Sequence, residues 1–209
     1  MTRVKICGLT RLADARVAIA LGADAVGFIL WPKSPRARSA EEVRRITAEL
    51  PPFVTRVGVF VNQSPDDVRA AVVKAGLDVA QLHGDEDVAD YAGIGVRIVK
   101  GMPLTDDGAL GRAMELPEQV TPLVDASDPS RRGGTGELAD WDRAARLARE
   151  RPILLAGGVT PENAADAVRQ VRPWALDVSS GVEDAPGIKN HDRLRLLFDV
   201  IDRLRAEGM

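Results

Sequence analysis

The chain is poor in the residues that most often build redox, metal and stacking sites. It has one cysteine, one tyrosine and two histidines in 209 residues, and aromatic side chains make up only 4%. One cysteine cannot close an internal disulfide or build a zinc–thiolate cluster. That scarcity predicts a reducing, cytoplasmic setting. No run of about 18 apolar residues occurs, so no membrane span is expected. Arg3 and Lys5 interrupt the apolar stretch that an N-terminal signal peptide would need. With 28 basic against 31 acidic residues, the net charge of -3 leaves no basic footprint for nucleic acid. What remains is an ordinary globular composition, 45% apolar and 28% charged, in a chain long enough to bury a sizeable core.

Short apolar runs alternate with amphipathic stretches. Strands are expected at Val4–Cys7, Ala25–Leu30, Arg56–Val61, Val79–Leu82, Val96–Lys100, Leu123–Asp125, Ile153–Ala156 and Ala175–Ser179, each bounded by Gly, Pro or polar residues. Helices fit between them. The second opens on a Ser39/Glu42 capping box. The third runs from Ser64-Pro65 to Gly76, with an N-cap, a proline at the first helical position and a terminating glycine. The seventh opens at Thr160-Pro161 in the same way, and the last carries Leu194, Leu197, Ile201 and Leu204 at helical spacing. The pattern is less sharp near 86–92 and 105–115. Eight strand–helix units predict an α/β fold, a (β/α)8 TIM barrel forming a single domain over 1–209. A doubly wound open sheet is disfavoured because no G-x-G-x-x-G follows the first strand. Two segments, 21–28 (LGADAVGF) and 75–82 (AGLDVAQL), repeat the order glycine, aspartate, strand, as two copies of one unit would.

Function in such a barrel collects at the C-terminal ends of the strands. Cys7, His83, Lys100, Asp125, Gly157-Gly158 and Ser179-Ser180-Gly181 fall there. Cys7 reads either as a small buried hydrophobe or as a base or nucleophile, and its place before Gly8 favours chemistry. Strand alternation puts Lys5 on the same face, where its charge is expected to lower the thiol pKa. Asp125 is either a turn cap or a partly buried acid facing Cys7 across the mouth. Asp177 is placed to pair with Lys5 or to touch substrate. Glycine loops after strands seven and eight suit a phosphate, since exposed N–H groups bind anions. Arg36 lies in a basic loop and has the planar fork that suits a carboxylate. The GGTG stretch at 133–136 is a candidate lid. His83 reads as a rim residue, and His191 as a surface one.

Taken together, KICGLT (5–10), GADAVGF (22–28), KSPR (33–36), RVGVFVN (56–62), QLHG (81–84), LVD with GGTG (123–136), LAGGVTPEN (155–163) and DVSSGVE (177–183) resemble the phosphoribosylanthranilate isomerase family of tryptophan biosynthesis. The resemblance implies an Amadori rearrangement of N-(5-phosphoribosyl)anthranilate by general acid–base catalysis. It implies Cys7 as base and Asp125 as acid. It also implies Arg36 on the anthranilate carboxylate, Asp177 on the ribose and His83 lining the pocket, with Gly157, Gly158, Ser180 and Gly181 on the phosphate. No cofactor and no metal is expected. The implied partner is a small phosphorylated substrate, for a monomer or homodimer with no nucleic acid or membrane. The ASDPSRR stretch departs mildly from the family pattern and brings in Asp128, a second carboxylate near Asp125. A dual-substrate barrel isomerase of histidine and tryptophan synthesis is the nearest rival, but it is expected to use two aspartates and no cysteine base. A non-catalytic phosphate-binding barrel would share the glycine loops but leave Cys7 and Asp125 dispensable.

Overall fold

A computed structural model describes residues 2–125 and 141–209. Strands β1 (Arg3–Ile6), β2 (Ala25–Ile29), β3 (Thr55–Phe60), β4 (Val79–Leu82), β5 (Arg97–Met102), β6 (Val120–Asp125), β7 (Leu154–Ala156) and β8 (Ala175–Val178) pair in chain order. All the pairings are parallel, and β8 returns to β1 with Lys5 opposite Asp177, closing the barrel. The strands lie close to their expected positions. The largest shift is β6, which begins at Val120 rather than Leu123 and carries Pro122 within its pairing to β5.

Helices α1 (Leu12–Ala20), α2 (Ala40–Thr47), α3 (Pro65–Ala75), α4 (Asp107–Met114), α5 (Trp141–Glu150), α6 (Ala164–Val171) and α7 (His191–Ala206) surround the barrel. The Ser39/Glu42 capping box is formed, and Ser64, Pro65 and left-handed Gly76 (φ +65°) bound α3 as expected. Two expectations need correction. The unit after β4 has no α-helix, only a short 3-10 turn at Val88–Tyr91, where Asp87 caps the Ala89 N–H. Its segment has few apolar residues to bury and ends in Gly93 and Gly95. The seventh helix does not start at Thr160-Pro161. The Thr160 N–H donates to Asn163 Oδ1 at 2.8 Å, which holds a turn there, and the helix begins at Ala164.

The repeated glycine–aspartate segments do the same job twice. Asp24, just before β2, accepts from the Val4 N–H of β1 at 2.8 Å, and its own N–H donates to Val4 O. Asp78, just before β4, accepts from the Arg56 N–H of β3 at 2.8 Å and returns its N–H to Arg56 O. Each aspartate thus ties the start of one strand to the entry of the next.

Strand alternation sorts the core into two layers. Val4, Ile6, Val26, Phe28, Ala80, Leu82, Ile98, Val124, Leu155, Leu176 and Val178 pack outward with the helices. Val99, Leu123, Leu154, Ala156 and Ala175 form a small apolar cluster inside the barrel. Polar groups enter that interior at Lys5, Gln81 and Asp177, all buried. Lys5 Nζ donates to Asp177 Oδ1 at 2.8 Å and to Gln81 Oε1 at 2.9 Å. Breaking a buried pair strands a charge in a low-dielectric interior, whereas replacing both members with apolar groups does not. Lys5→Met is therefore expected to cost about 3–5 kcal/mol. Lys5→Met with Asp177→Leu should recover most of that loss. Urea unfolding midpoints of the two variants check this, and equal loss in both would exclude the account.

Candidate active site

Cys7 follows β1 and continues its pairing, its N–H donating to Val178 O at 2.8 Å. Lys5 and Cys7 therefore point inward one above the other. They fit because β2 carries no side chain at Gly27, where a Cβ would lie 2.9 Å from Cys7 Sγ and 3.1 Å from Lys5 Cε. Gly8 then turns the chain at the rim with φ +73°. A Cβ there would sit 2.7 Å from Arg36 Cδ and 2.9 Å from Ser179 Oγ, so the glycine lets the loop after β2 close over β1.

The electrostatics of Cys7 differ from the sequence expectation. Burial pushes the thiol up, Lys5 pulls it down, Asp177 pushes it up again, and the net direction is upward. Lys5 does act on the thiol, but Asp177 already neutralises much of its charge. Burial pulls Lys5 itself down, yet Asp177 and Cys7 outweigh that and hold the ammonium above its ordinary range.

A line of polar contacts crosses the barrel from this pair. Gln81 receives Lys5 on Oε1, and its Nε2 lies 3.2 Å from His83 Nδ1. His83 Nε2 lies 3.5 Å from Asp125 Oδ2, and both side chains are about a third exposed at the rim. β6 is three steps from β1 one way round the barrel and five the other. Cys7 and Asp125 thus stand on well-separated parts of one mouth. Asp177, implied by resemblance to act on the ribose, lies buried just below the rim, paired with Lys5.

Arg36 stands beside Cys7 but is tied to Glu183. The guanidinium Nε lies 3.0 and 3.1 Å from the two carboxylate oxygens, and Nη2 2.6 Å from Oε2. Lys189 Nζ, fully buried, reaches the same carboxylate at 2.8 Å and Ser179 O at 3.1 Å. Burial would raise the Glu183 carboxyl, but Arg36 and Lys189 together hold it below its usual range. Glu183 begins a small hairpin, β9 (Glu183–Ala185) with β10 (Ile188–Lys189).

The glycine loops take their expected places. Gly157 and Gly158 follow β7 with φ of +80° and +70°, and the space at the Gly158 Cβ position is open. Ser180 and Gly181 lie in a 3-10 turn, Ser180–Val182, after β8. A Cβ on Gly181 would run into the Val159 carbonyl, so the two loops touch only because position 181 is glycine.

Other sequence candidates fall elsewhere. Lys100 is buried on the outward face of β5, with Ile98 rather than Val99, and holds Gly84 O at 2.6 Å and Glu86 at 2.7 Å. His191 is not a plain surface residue: its Nε2 lies 2.9 Å from the buried Asp14. Asp128 and the GGTG segment lie outside the described residues. Among those residues, no group of His, Cys, Asp or Glu could hold a metal ion, and no helix is long and apolar enough to cross a membrane. A cavity of about 650 Å3 lined by Met114, Val120 and Arg151 opens at the start of β6, the end of the barrel opposite Cys7. It holds none of these groups.

Gln81 and Glu183 were not anticipated. Gln81 was open to detection, since alternation between Val79 and His83 turns it inward. Glu183 meets Arg36 across 147 residues of chain, and no local pattern announces such a contact.

Comparison with known proteins agrees with this geometry. Residues 4–200 match the family model for N-(5'-phosphoribosyl)anthranilate (PRA) isomerase. A Chromohalobacter salexigens N-(5'-phosphoribosyl)anthranilate isomerase is 44% identical over 207 residues, covering 98% of this chain and 96% of the relative. The Acidithiobacillus ferrooxidans protein of that name is 46% identical over 195 residues, covering 93% and 94%. The crystal structure of phosphoribosyl anthranilate isomerase from Thermotoga maritima superposes with a TM-score of 0.89 at 40% identity, over 100% of both chains. A complex of such an isomerase with reduced 1-(o-carboxyphenylamino)-1-deoxyribulose 5-phosphate gives 0.86 at 38%, again over 100% of both. With the barrel, the inward cysteine and the paired glycine loops in place, this chain belongs to the N-(5'-phosphoribosyl)anthranilate isomerase family.

Proposed function

We propose that this chain, a single-domain barrel over 1–209, isomerises N-(5'-phosphoribosyl)anthranilate to 1-(2-carboxyphenylamino)-1-deoxyribulose 5-phosphate in tryptophan biosynthesis, and that it works in the cytoplasm. The observation that carries the reading is the placement of Cys7 and Asp125. They are two proton-transfer groups on separate strands of one barrel mouth, in a chain of this family.

Asp125 gives a proton to the furanose ring oxygen as the C1'–O bond breaks, and the anilino nitrogen lone pair forms the C=N bond of an iminium. The Cys7 thiolate takes the C2' proton. The released electron pair forms the C1'=C2' bond and neutralises the nitrogen. The resulting enol tautomerises to the 2-ketone. Atoms balance without an oxidant, and the chemistry asks for no cofactor or metal.

Arg36 receives the anthranilate carboxylate on the part of its guanidinium that Glu183 leaves open. The loops with Gly157, Gly158, Ser180 and Gly181 receive the phosphate on backbone N–H groups. His83 lines the pocket, and Asp177, paired with Lys5 just below the rim, acts on the ribose from beneath the mouth. The partner is this small phosphorylated substrate, with no nucleic acid or membrane, and the working unit is a monomer or homodimer. A Thermotoga maritima relative is described as dimeric, and light scattering assigns the state of this chain.

A coupled turnover assay with phosphoribosylanthranilate tests the reading. Cys7→Ser and Asp125→Asn should each lower kcat by on the order of 10²–10⁴-fold, while both variants still bind a reduced product analogue. Full activity in either variant removes that residue from the mechanism. Because burial pushes the Cys7 thiol up and only the thiolate is a base, kcat/KM should climb as pH rises above neutral. Iodoacetamide modification of Cys7 should quicken over the same range, and a flat profile for both would contradict the raised thiol. Glu183→Gln should raise KM about 10-fold with a smaller effect on kcat, since one charge-assisted contact orienting Arg36 is lost.

A further inference from the structure

The contacts running from Lys5 to Asp125 have a fixed direction. An ammonium can only donate, so the group of Gln81 facing Lys5 must be its carbonyl oxygen. That orients the amide without relying on how its two ends are drawn, and it leaves the Gln81 NH2 toward His83. An NH2 can only donate, so His83 Nδ1, 3.2 Å away, must offer its lone pair. A neutral imidazole that accepts at Nδ1 carries its proton at Nε2, the nitrogen facing Asp125. The ring has little room to turn. Gly101 on β5 has no side chain, and a Cβ there would lie 2.6 Å from Nδ1 and 3.1 Å from Cε1, so the imidazole fills that space.

We propose that Gln81 is a positioning residue that locks His83 as the Nε2–H tautomer, with the Lys5 ammonium setting its direction. The tautomer decides what His83 does to Asp125. With Nε2 protonated, His83 is a donor, and it supports the carboxylate left behind when Asp125 gives up its proton. With the proton on Nδ1 instead, the Nε2 lone pair would face Asp125 and compete with the substrate oxygen for the acid's own proton. The kinetic consequence rests on the assignment of Asp125 as the acid, whereas the tautomer itself does not.

The test is nitrogen-15 NMR of the imidazoles in the full-length protein without substrate, together with steady-state kinetics. Only His83 and His191 contribute, and His191→Gln identifies which signals belong to His83. In the unmodified protein His83 should show an unprotonated Nδ1 and a protonated Nε2. Gln81→Glu keeps an acceptor for Lys5 but presents one to Nδ1 as well. It should move a proton onto Nδ1 and lower kcat by on the order of 10²-fold, with KM changed less. Gln81→Met should abolish the tautomer preference and, by taking an acceptor from the buried Lys5 ammonium, lower the thermal midpoint as well, so its kcat is read at a temperature where both proteins are fully folded. Nδ1–H in the unmodified protein overturns the proposal. So does Gln81→Glu with an unchanged tautomer, or with a changed tautomer and unchanged kcat. An unmodified protein that shows the Nε2–H tautomer but does not turn over phosphoribosylanthranilate would count against the functional reading alone.

Discussion

The Lys5 ammonium inside the barrel constrains more of this structure than any other group. A charge removed from water is tolerated only when its donors are satisfied and an opposite charge lies close by. Asp177 supplies the charge from β8, the strand that closes the barrel onto β1, and Gln81 supplies an acceptor from β4. The third direction is toward Cys7, above it on the same strand. Three strands are thus tied through one side chain just beneath the rim. Gly27 belongs to the same arrangement, because any larger residue on β2 would occupy the volume that Lys5 and Cys7 share.

This centre also separates what local pattern reveals from what it does not. The alternation of β1 was enough to place Lys5 below Cys7, and chain order was enough to bring Asp177 beside Lys5. The glycine–aspartate repeat was visible as spacing, although its purpose, an aspartate clamping the preceding strand, needed coordinates at Asp24 and Asp78. The thiol's direction could not be read locally. Lys5 and Cys7 alone suggest a lowered value, and the sign turns on burial and on Asp177, both products of the closed barrel. The missing helix after β4 reflects a segment with few apolar residues that ends in Gly93 and Gly95, and the late start of α6 is decided by Asn163, which offers the backbone a turn in place of a helix.

Arg36 shows the same dependence at the other side of the mouth. A lone arginine in a basic loop has many orientations, and holding one costs side-chain entropy. Glu183 removes that freedom by taking Nε and Nη2, and among the described residues Nη1 has no hydrogen-bond partner. Arg36 and Lys189 together keep Glu183 ionised although the carboxylate is nearly sheltered from water. The carboxylate therefore orients the arginine without cancelling the local field, since two cations share one anion. The loops from β2 and β8 are bound together by this contact, and Gly8 lets them meet over the end of β1.

The raised thiol fits the proposed chemistry better than the lowered one expected from sequence. A proton on carbon is weakly acidic, and the base that removes it must bind a proton well. A strongly depressed thiolate would be abundant but too weak, whereas an isolated buried thiol would be a strong base almost never ionised. Burial and Asp177 push toward the second extreme, and Lys5 opposes them from one layer below. Without Asp177 the balance would move toward the weaker, more abundant thiolate. The aspartate that looks like a structural partner of a lysine thus also sets how strong a base the cysteine can be.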